Sequence, residues 1–390
     1  MSKRAPHGRA SVLTPAGRGA VAVVAAEGAA AWAAVDAHFQ AANRRPIRRQ
    51  AAERILFGHW GDDGHREEVI VIRGAGDGVE IHCHGGLAAS ERIVATLAAA
   101  GCTVQPWDEW NRVEASSILE AEADEALARA TTQRAAFILL AQRGGALRDA
   151  VGSVQQSLAH GEFERANAEL LALLDRVPLG RHLTEPWHVA IAGRPNVGKS
   201  SLINALVGYQ RAIVFDQPGT TRDVLTAETA IDGWPVRLAD TAGMSDAREP
   251  LEVEGVARAR EQLARADLVL WVLDGSTLTE DPRLVAARQW REEVGAADGF
   301  AKAIVVVNKS DLATKTAHQP DGSADAIWTS ARDGDGLGEL LSAIGRRLVP
   351  AAPAGEAIPF TRRQTELLAE TRRLLADNRV EEARAALARI

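Results

Sequence analysis

Gly193-Arg194-Pro195-Asn196-Val197-Gly198-Lys199-Ser200 sets two glycines around a four-residue spacer and follows the second with a lysine and a hydroxyl residue. This is the phosphate-loop pattern. Glycine permits the tight backbone that turns successive N–H groups inward onto phosphate oxygens. Asn196, Val197, Gly198, Lys199, Ser200 and Ser201 are therefore the expected phosphate-binding residues. Lys199 can reach the outer phosphates, and the Ser200 hydroxyl can sit on Mg²⁺. The flanks agree. His188-Val189-Ala190-Ile191-Ala192 is a short apolar run of buried-strand type, and Ser201 to Val207 reads as a helix. A phosphate at such a helix start meets free N–H donors and the positive end of the helix dipole.

Further landmarks follow in a fixed order. Arg237-Leu238-Ala239 leads into Asp240-Thr241-Ala242-Gly243. Asp240 is expected on Mg²⁺ through water, and the Gly243 N–H on the terminal phosphate. Gly219-Thr220-Thr221-Arg222-Asp223 offers a loop whose Thr220 and Thr221 can close over the nucleotide, Thr221 reaching the Mg²⁺. The β-branched run Ala303 to Val307 ends in Asn308-Lys309-Ser310-Asp311. A carboxylate at Asp311 can accept from the ring N–H and the exocyclic amine of guanine. Adenine would leave it desolvated and unpaired, a rejection worth several kcal/mol. Ser330-Ala331, after Ala326-Ile327-Trp328, is expected at the base oxygen. The four motifs point to GTP. Where a water-orienting glutamine would follow the acidic motif stands Met244, which cannot serve. Asp246, Glu249, Glu252 and Glu254 are the nearby acids, and their position at a helix start is equally that of a solvated N-terminus.

Taken together, Gly-Arg-Pro-Asn-Val-Gly-Lys-Ser-Ser-Leu, Gly-Thr-Thr-Arg-Asp and Asp-Thr-Ala-Gly resemble the bacterial tRNA-modification GTPases of the MnmE/TrmE type. The same motifs occur in ribosome-assembly GTPases, for which a second phosphate loop or an RNA-binding domain after Pro350 would be expected. The flanks decide. Leu13-Thr14-Pro15-Ala16-Gly17-Arg18-Gly19-Ala20-Val21 is similar to the family's N-terminal signature, and Glu80-Ile81-His82-Cys83-His84-Gly85-Gly86 to its His-Gly-Gly element. The resemblance implies a catalytic role for Glu252, three residues before Gly255. It also implies a K⁺ ion held by Asn196 and by the 215–221 loop, with Phe215, Gln217 and Thr220 as the ligand positions, and two G domains dimerising around that ion. GTP hydrolysis would serve wobble-uridine modification of tRNA, together with a flavin-dependent partner enzyme.

The departures matter as well. The family's formyl-folate site keeps only Glu80: its arginine position falls on Ala25, and Trp110 to Glu125 holds no lysine. The sequence stops at Ala388-Arg389-Ile390, short of the family's Cys-x-Gly-Lys tail, and its only cysteines are Cys83 and Cys102. The expectation is a GTPase of this type with a degenerate folate site, and the alternative is a GTP-driven switch or assembly factor without the one-carbon chemistry.

The implied architecture is α/β: a Ras-like P-loop GTPase domain inserted in a helical domain and preceded by a small α/β domain. Expected boundaries are 1–110 for the N-terminal domain, 111–185 and 351–390 for the two parts of the helical domain, and 186–350 for the G domain. Within the first, Val69 to Ile72 and Val79 to Cys83 flank a glycine-rich hairpin, and Leu87 to Ala100 is the one clear helix. His82, Cys83 and His84 alternate faces of a strand, so no metal site is expected of them. Thr361 to Ile390 reads as an amphipathic helical tail. At net charge −7 no global basic surface exists for nucleic acid. Arg44, Arg45, Arg48, Arg49 and Arg54 form the one local basic run, read either as an RNA patch or as a solvated linker. Two cysteines suggest a reducing cytoplasm. Met1 to Ala10 carries no apolar signal segment, and no apolar run reaches the roughly 20 residues that span a bilayer. The nine tryptophans are expected in packing rather than at ligands.

Overall fold

Apolar residues alternate with polar ones along much of the first hundred residues, and the result is one seven-stranded sheet. The computed structural model describes residues 8–15, 17, 19–61, 64, 66–74, 76–210, 226–241, 260–295, 298–313 and 326–390. It divides the chain into two units, Met1–Ala121 and Glu122–Ile390.

The first unit holds β1 (Arg9–Val12), β2 (Val21–Glu27), β3 (Phe39–Ala41), β4 (Ile55–Trp60), β5 (Glu67–Arg73), β6 (Gly78–His84) and β7 (Thr103–Val104). Their order in the sheet is β3-β4-β5-β6-β2-β1-β7, antiparallel apart from the β1–β7 pair. The β5–β6 hairpin closes at Gly74, whose N–H donates to the Gly78 carbonyl at 2.9 Å. In β6, Val79, Ile81 and Cys83 are buried, while His82 pairs with Glu80 at 3.2 Å and His84 with Glu67 at 2.7 Å. Helices α1 (Ala29–His38) and α2 (Leu87–Ala99) bury Trp32, Val35, Ile93 and Leu97 in the same core as Val24, Trp60 and Ile81. The sequence reading contained only the second of these helices. Six of the ten residues of α1 are alanine, so its buried and exposed faces differ little in polarity and the helical period is weak. Helix α3 (Trp107–Glu114) follows, with Arg9 over the Trp110 ring at 4.1 Å.

Helix α4 (Ile118–Leu127) leads into the second unit, where α5 (Gln133–Arg143), α6 (Ala146–Ala159), α7 (Phe163–Leu174) and α8 (Val177–Arg181) precede a second sheet. Between α5 and α6, and between α6 and α7, Gly145 (φ 113°) and Gly161 (φ 76°) adopt the left-handed backbone that glycine favours. That sheet contains β8 (Trp187–Ala192), β9 (Thr226–Ile231), β10 (Trp234–Asp240), β11 (Leu268–Asp274), β12 (Ala303–Asn308) and β13 (Ile327–Trp328). The order is β13-β12-β11-β8-β10-β9, parallel except where β9 turns back through Asp232-Gly233 onto β10. Its central strands β11 and β12 are near-continuous apolar runs, as a sheet covered on both faces requires. Helices α9 (Lys199–Gln210), α10 (Pro282–Glu293) and α11 (Leu337–Leu348) accompany it, and Trp271 packs edge-on against Trp290 with ring centroids 5.2 Å apart.

The expected C-terminal tail is two helices, α12 (Arg362–Ala376) and α13 (Val380–Leu387), which return to those before the sheet. The Gln142 amide donates to the Glu356 carbonyl and accepts from the Ile358 N–H, at 3.1 and 3.0 Å. Arg363 grips Glu122 with two nitrogens at 2.6 and 2.8 Å, and Gln364 reaches the same carboxylate at 2.8 Å. At Gly180 a side chain would meet the Pro359 carbonyl at 1.8 Å, so only glycine allows the approach. The β8–β13 segment is therefore inserted between two halves of one helical bundle.

Candidate nucleotide site

In a parallel sheet the carboxyl ends of the strands open onto one crevice, and the loops there are free to carry chemistry. The quoted glycine-rich loop joins β8 to α9 at that edge. Gly193 (φ 136°) lies so close to β11 that a Cβ would sit 2.3 Å from the Val272 carbonyl oxygen. Gly198 (φ 92°) and Asn196 (φ 65°) take left-handed conformations, and the turn they make leaves the α9 N-terminus facing the crevice. Lys199 is 6 % exposed, and its Nζ donates to the carbonyls of Gly193 and Arg194 at 2.9 and 3.0 Å. Burial pulls its pKa down, partly offset by the charge of Asp240. A phosphate arriving beside it supplies the countercharge that the loop carbonyls replace only in part.

Asp240 ends β10 directly beside β8, paired in register with Ile191. It is 4 % exposed, and its Oδ2 accepts from the Ser200 hydroxyl at 2.8 Å. Two hard oxygen donors from different elements thus stand together at the start of α9, a donor set that fits a Mg²⁺ ion.

On the other side, β12 ends in Asn308, which is 1 % exposed. Its Nδ2 donates to the Val197 carbonyl at 3.0 Å, and its Oδ1 accepts from the Ala331 N–H at 3.1 Å. Lys309 (φ 62°) sends its Nζ to the Asn196 carbonyl and to Asp274 Oδ2, both at 2.7 Å. Asp311 is exposed in the short turn Ser310–Leu312 and accepts from the Ser330 hydroxyl at 3.0 Å. The structure brings together Asn196, Val197, Gly198, Lys199, Ser200 and Asp240 on one flank, and Asn308, Lys309, Asp311, Ser330 and Ala331 on the other. Ser201 continues into α9. Glu252, Phe215, Gln217, Thr220, Thr221 and Gly243 lie outside the described residues.

Sequence reasoning passed over Asp274. It ends β11 and holds Lys309, so it fixes the base-side loop from a third strand. Burial raises its pKa, but the hydrogen bonds from Lys309 and Ser276 outweigh that and leave it below the ordinary carboxylate range. The available signal was an acid closing the apolar run Leu268 to Leu273. Glu80, which the family resemblance links to folate, is exposed on β6 between Ala25 of β2 and Ile72 of β5.

A phosphate loop, an acidic strand end beside its serine and an Asn-Lys-x-Asp turn bonded to both flanks define a P-loop GTPase. Residues 188–309 match the family described as 50S ribosome-binding GTPase. The tRNA modification GTPase MnmE of Syntrophotalea carbinolica is 35 % identical over 328 residues, which cover 76 % of this chain and 68 % of that protein. The chain belongs to the MnmE family of tRNA modification GTPases, and it is a GTP-binding, GTP-hydrolysing enzyme. Similarity extends outside the G segment: the MnmE proteins of a Synechococcus strain and of Symbiobacterium thermophilum are 34 % and 33 % identical. Each match spans 87 % of this chain, and they cover 81 % and 82 % of those proteins.

Proposed function

We propose that this protein hydrolyses GTP in the service of wobble-uridine modification of tRNA. What carries the GTPase part of the reading is the 2.8 Å hydrogen bond between Ser200 and Asp240, at the start of a helix whose preceding loop is tied to the base-side turn through Asn308, and the tRNA part rests on the likeness to the MnmE proteins. Lys199 exchanges its carbonyl partners for the β- and γ-phosphates. Asp311 takes the guanine edge, with Ser330 orienting the carboxylate and Ala331 beside the base oxygen. Bound at Ser200, Thr221 and Asp240, Mg²⁺ would neutralise charge developing on the phosphate oxygens. Asn196, with the carbonyls of Phe215, Gln217 and Thr220, is the proposed K⁺ site, and Glu252 is the group that orients the attacking water. In this reading the protein is a cytoplasmic homodimer that works with a flavin-dependent partner enzyme. Among the described residues no helix is long and apolar enough to cross a membrane.

A second reading rests on one observation. Ala25 stands opposite Glu80 where the folate-binding pattern has an arginine, and among the described residues the carboxylate's partner is His82 at 3.2 Å rather than an arginine. In this second reading the described residues do not hold a formyl-folate. That favours a GTP-driven switch whose output is a conformational change rather than a one-carbon transfer.

Steady-state GTP hydrolysis in KCl and in NaCl at equal ionic strength tests the catalytic part. Stimulation by K⁺, lost in Glu252→Ala, is the expected result; equal rates in both salts, unchanged by that substitution, would overturn it. Mass spectrometry of wobble uridine in a deletion strain separates the two readings, since unchanged modification leaves only the switch.

A further inference from the structure

Loops that join two antiparallel neighbours are usually two to five residues long. The connection from β3 to β4 runs from Ala42 to Ile55's predecessor, Arg54, and it contains five arginines against one acid, Glu53. We propose that this loop is an RNA-binding surface that engages tRNA phosphates through Arg44, Arg45, Arg49 and Arg54. The proposal rests on the tRNA reading above.

The loop is built rather than slack. Ile47 is buried beneath it, and Gln50, 7 % exposed, accepts from the Asn43 amide at 2.8 Å and donates to the Arg45 carbonyl at 3.0 Å. From β5, Arg73 donates to the carbonyls of Arg48 and Gln50, each at 3.3 Å, while its own carbonyl accepts from the Glu53 N–H at 2.7 Å. Arg44 (φ 57°) and Glu53 (φ 60°) hold left-handed turns at the two ends. Arg48 is committed to the fold: it pairs with Asp36 at 2.6 Å and lies over the Trp32 ring. The other four arginines are exposed, and among the described residues none of them has a carboxylate partner. Four unpaired guanidinium groups on an ordered loop are a preorganised array for phosphate, which the planar fork binds through two nitrogens.

Two features favour RNA over a membrane. The loop's one large apolar side chain, Ile47, points into the core, so the loop's own residues offer lipid only charge, and the exposed Ile55 and Phe57 lie beyond it on β4. Phe57, 49 % exposed on the strand that leaves the loop, presents a ring on which an unstacked base can lie. The molecule as a whole is acidic, so affinity for a polyanion must come from such a local array.

The test is equilibrium binding of a fluorescently labelled, unmodified tRNA transcript to the full-length protein across 50–300 mM KCl. The variant removes Arg44, Arg45, Arg49 and Arg54 together to alanine and leaves Arg48 in place. A control removes Arg291, Arg346, Arg372 and Arg373, which are exposed elsewhere and give the same net charge. The loop variant is expected to bind about 10- to 100-fold more weakly at 100 mM salt, with the log–log salt slope reduced by about 3. The control should bind like the parent, and GTP hydrolysis without tRNA should be the same in all three. If the parent binds tRNA and the loop variant matches it in affinity and slope, the surface is elsewhere and the tRNA reading survives. A parent that binds no tRNA at 50 mM salt defeats the tRNA reading itself. Loop-dependent cosedimentation with phosphatidylserine vesicles, without loop-dependent tRNA binding, would replace RNA by lipid as the partner.

Discussion

Asn308 and Val197 are 111 positions apart, yet the amide of one donates to the carbonyl of the other at 3.0 Å. Because the same amide accepts from Ala331, one buried side chain fixes the distance between the phosphate loop and the base-side turn. Replacing it with alanine strands a carbonyl and an N–H, at about 1–3 kcal/mol for a buried group. Asn308→Ala is expected to weaken GTP binding roughly 10- to 100-fold, measured by titration with a fluorescent GTP analogue. An unchanged Kd would remove Asn308 from this role.

Gly198 stands against that amide. A Cβ there would lie 2.4 Å from Asn308 Nδ2, on a backbone at φ 92° that side chains rarely adopt. Gly198→Ala should therefore cost more affinity than Asn308→Ala, because it displaces the tie and also strains the loop. Equal or weaker damage in the same titration would show that the loop relaxes around the methyl group.

Asp311 is held by Ser330 with a second carboxylate oxygen still available. An amide in its place presents a donor toward one of the two guanine hydrogen atoms. Xanthine carries an oxygen where guanine carries its amine. Asp311→Asn is expected to reduce GTP affinity by about 100-fold and to raise affinity for xanthosine triphosphate. Competition between the two nucleotides reads the switch directly, and retained preference for GTP would count against Asp311 as the base-reading group.

Asp267 ties the G segment to the helix before it. It accepts from the His188 N–H at 2.8 Å and faces His182 at 3.6 Å, whose ring stacks on Trp187 at 3.7 Å. Burial pushes its pKa up, but the neighbouring His182 ring, the hydrogen bond from the His188 N–H and the charges of both histidines hold it below the usual carboxylate value. A carboxyl depressed in this way contributes stability above its unfolded pKa of about 3.9 and loses it as pH falls through the lower folded value. Asp267→Asn should lower stability by roughly 1 kcal/mol at pH 7, solvent screening included. The gap should narrow as pH falls below about 4. Urea midpoints at pH 7, 5 and 3.5 measure it, and a gap independent of pH would show that the charge of Asp267 is irrelevant.

Glu122 and Arg363 join the halves of the helical bundle across the inserted domain. Removing the guanidinium leaves a mostly buried carboxylate held by Gln364, with Thr361 at 3.4 Å. Arg363→Ala is expected to destabilise the unit by about 2 kcal/mol, discounted for the partial exposure of Arg363. In calorimetry this would lower Tm by about 4 °C. No shift in Tm would show that hydrophobic packing of α12 alone closes the bundle.

Much of the nucleotide site was legible in the sequence because each part of it is a local event. A strand end, a turn that needs glycine and a helix start occupy consecutive residues, so Gly193 to Ser200 and Asn308 to Asp311 could be read without knowing what lies beside them. The hairpin at Gly74–Gly78 was visible for the same reason. Helix α1 was not, because Ala29 to His38 is too uniformly small and apolar to show a helical period. Asp274 was not either, since its role depends on Lys309, which arrives from another strand.

The sequence by itself determined the chemistry on offer: a backbone cradle for phosphate, a hydroxyl and a carboxylate for a hard cation, and an acid for guanine. Only the tertiary structure decided which of these meet. Ser200 reaches Asp240 because β10 pairs with β8 in one register, and Asn308 reaches Val197 because β12 ends at the same sheet edge. Glu122 finds Arg363 because the helices on either side of the insertion close into one bundle. Residue type and local spacing are written along the chain, but contacts between distant segments depend on strand order and helix packing, which follow from burying the whole apolar surface at once.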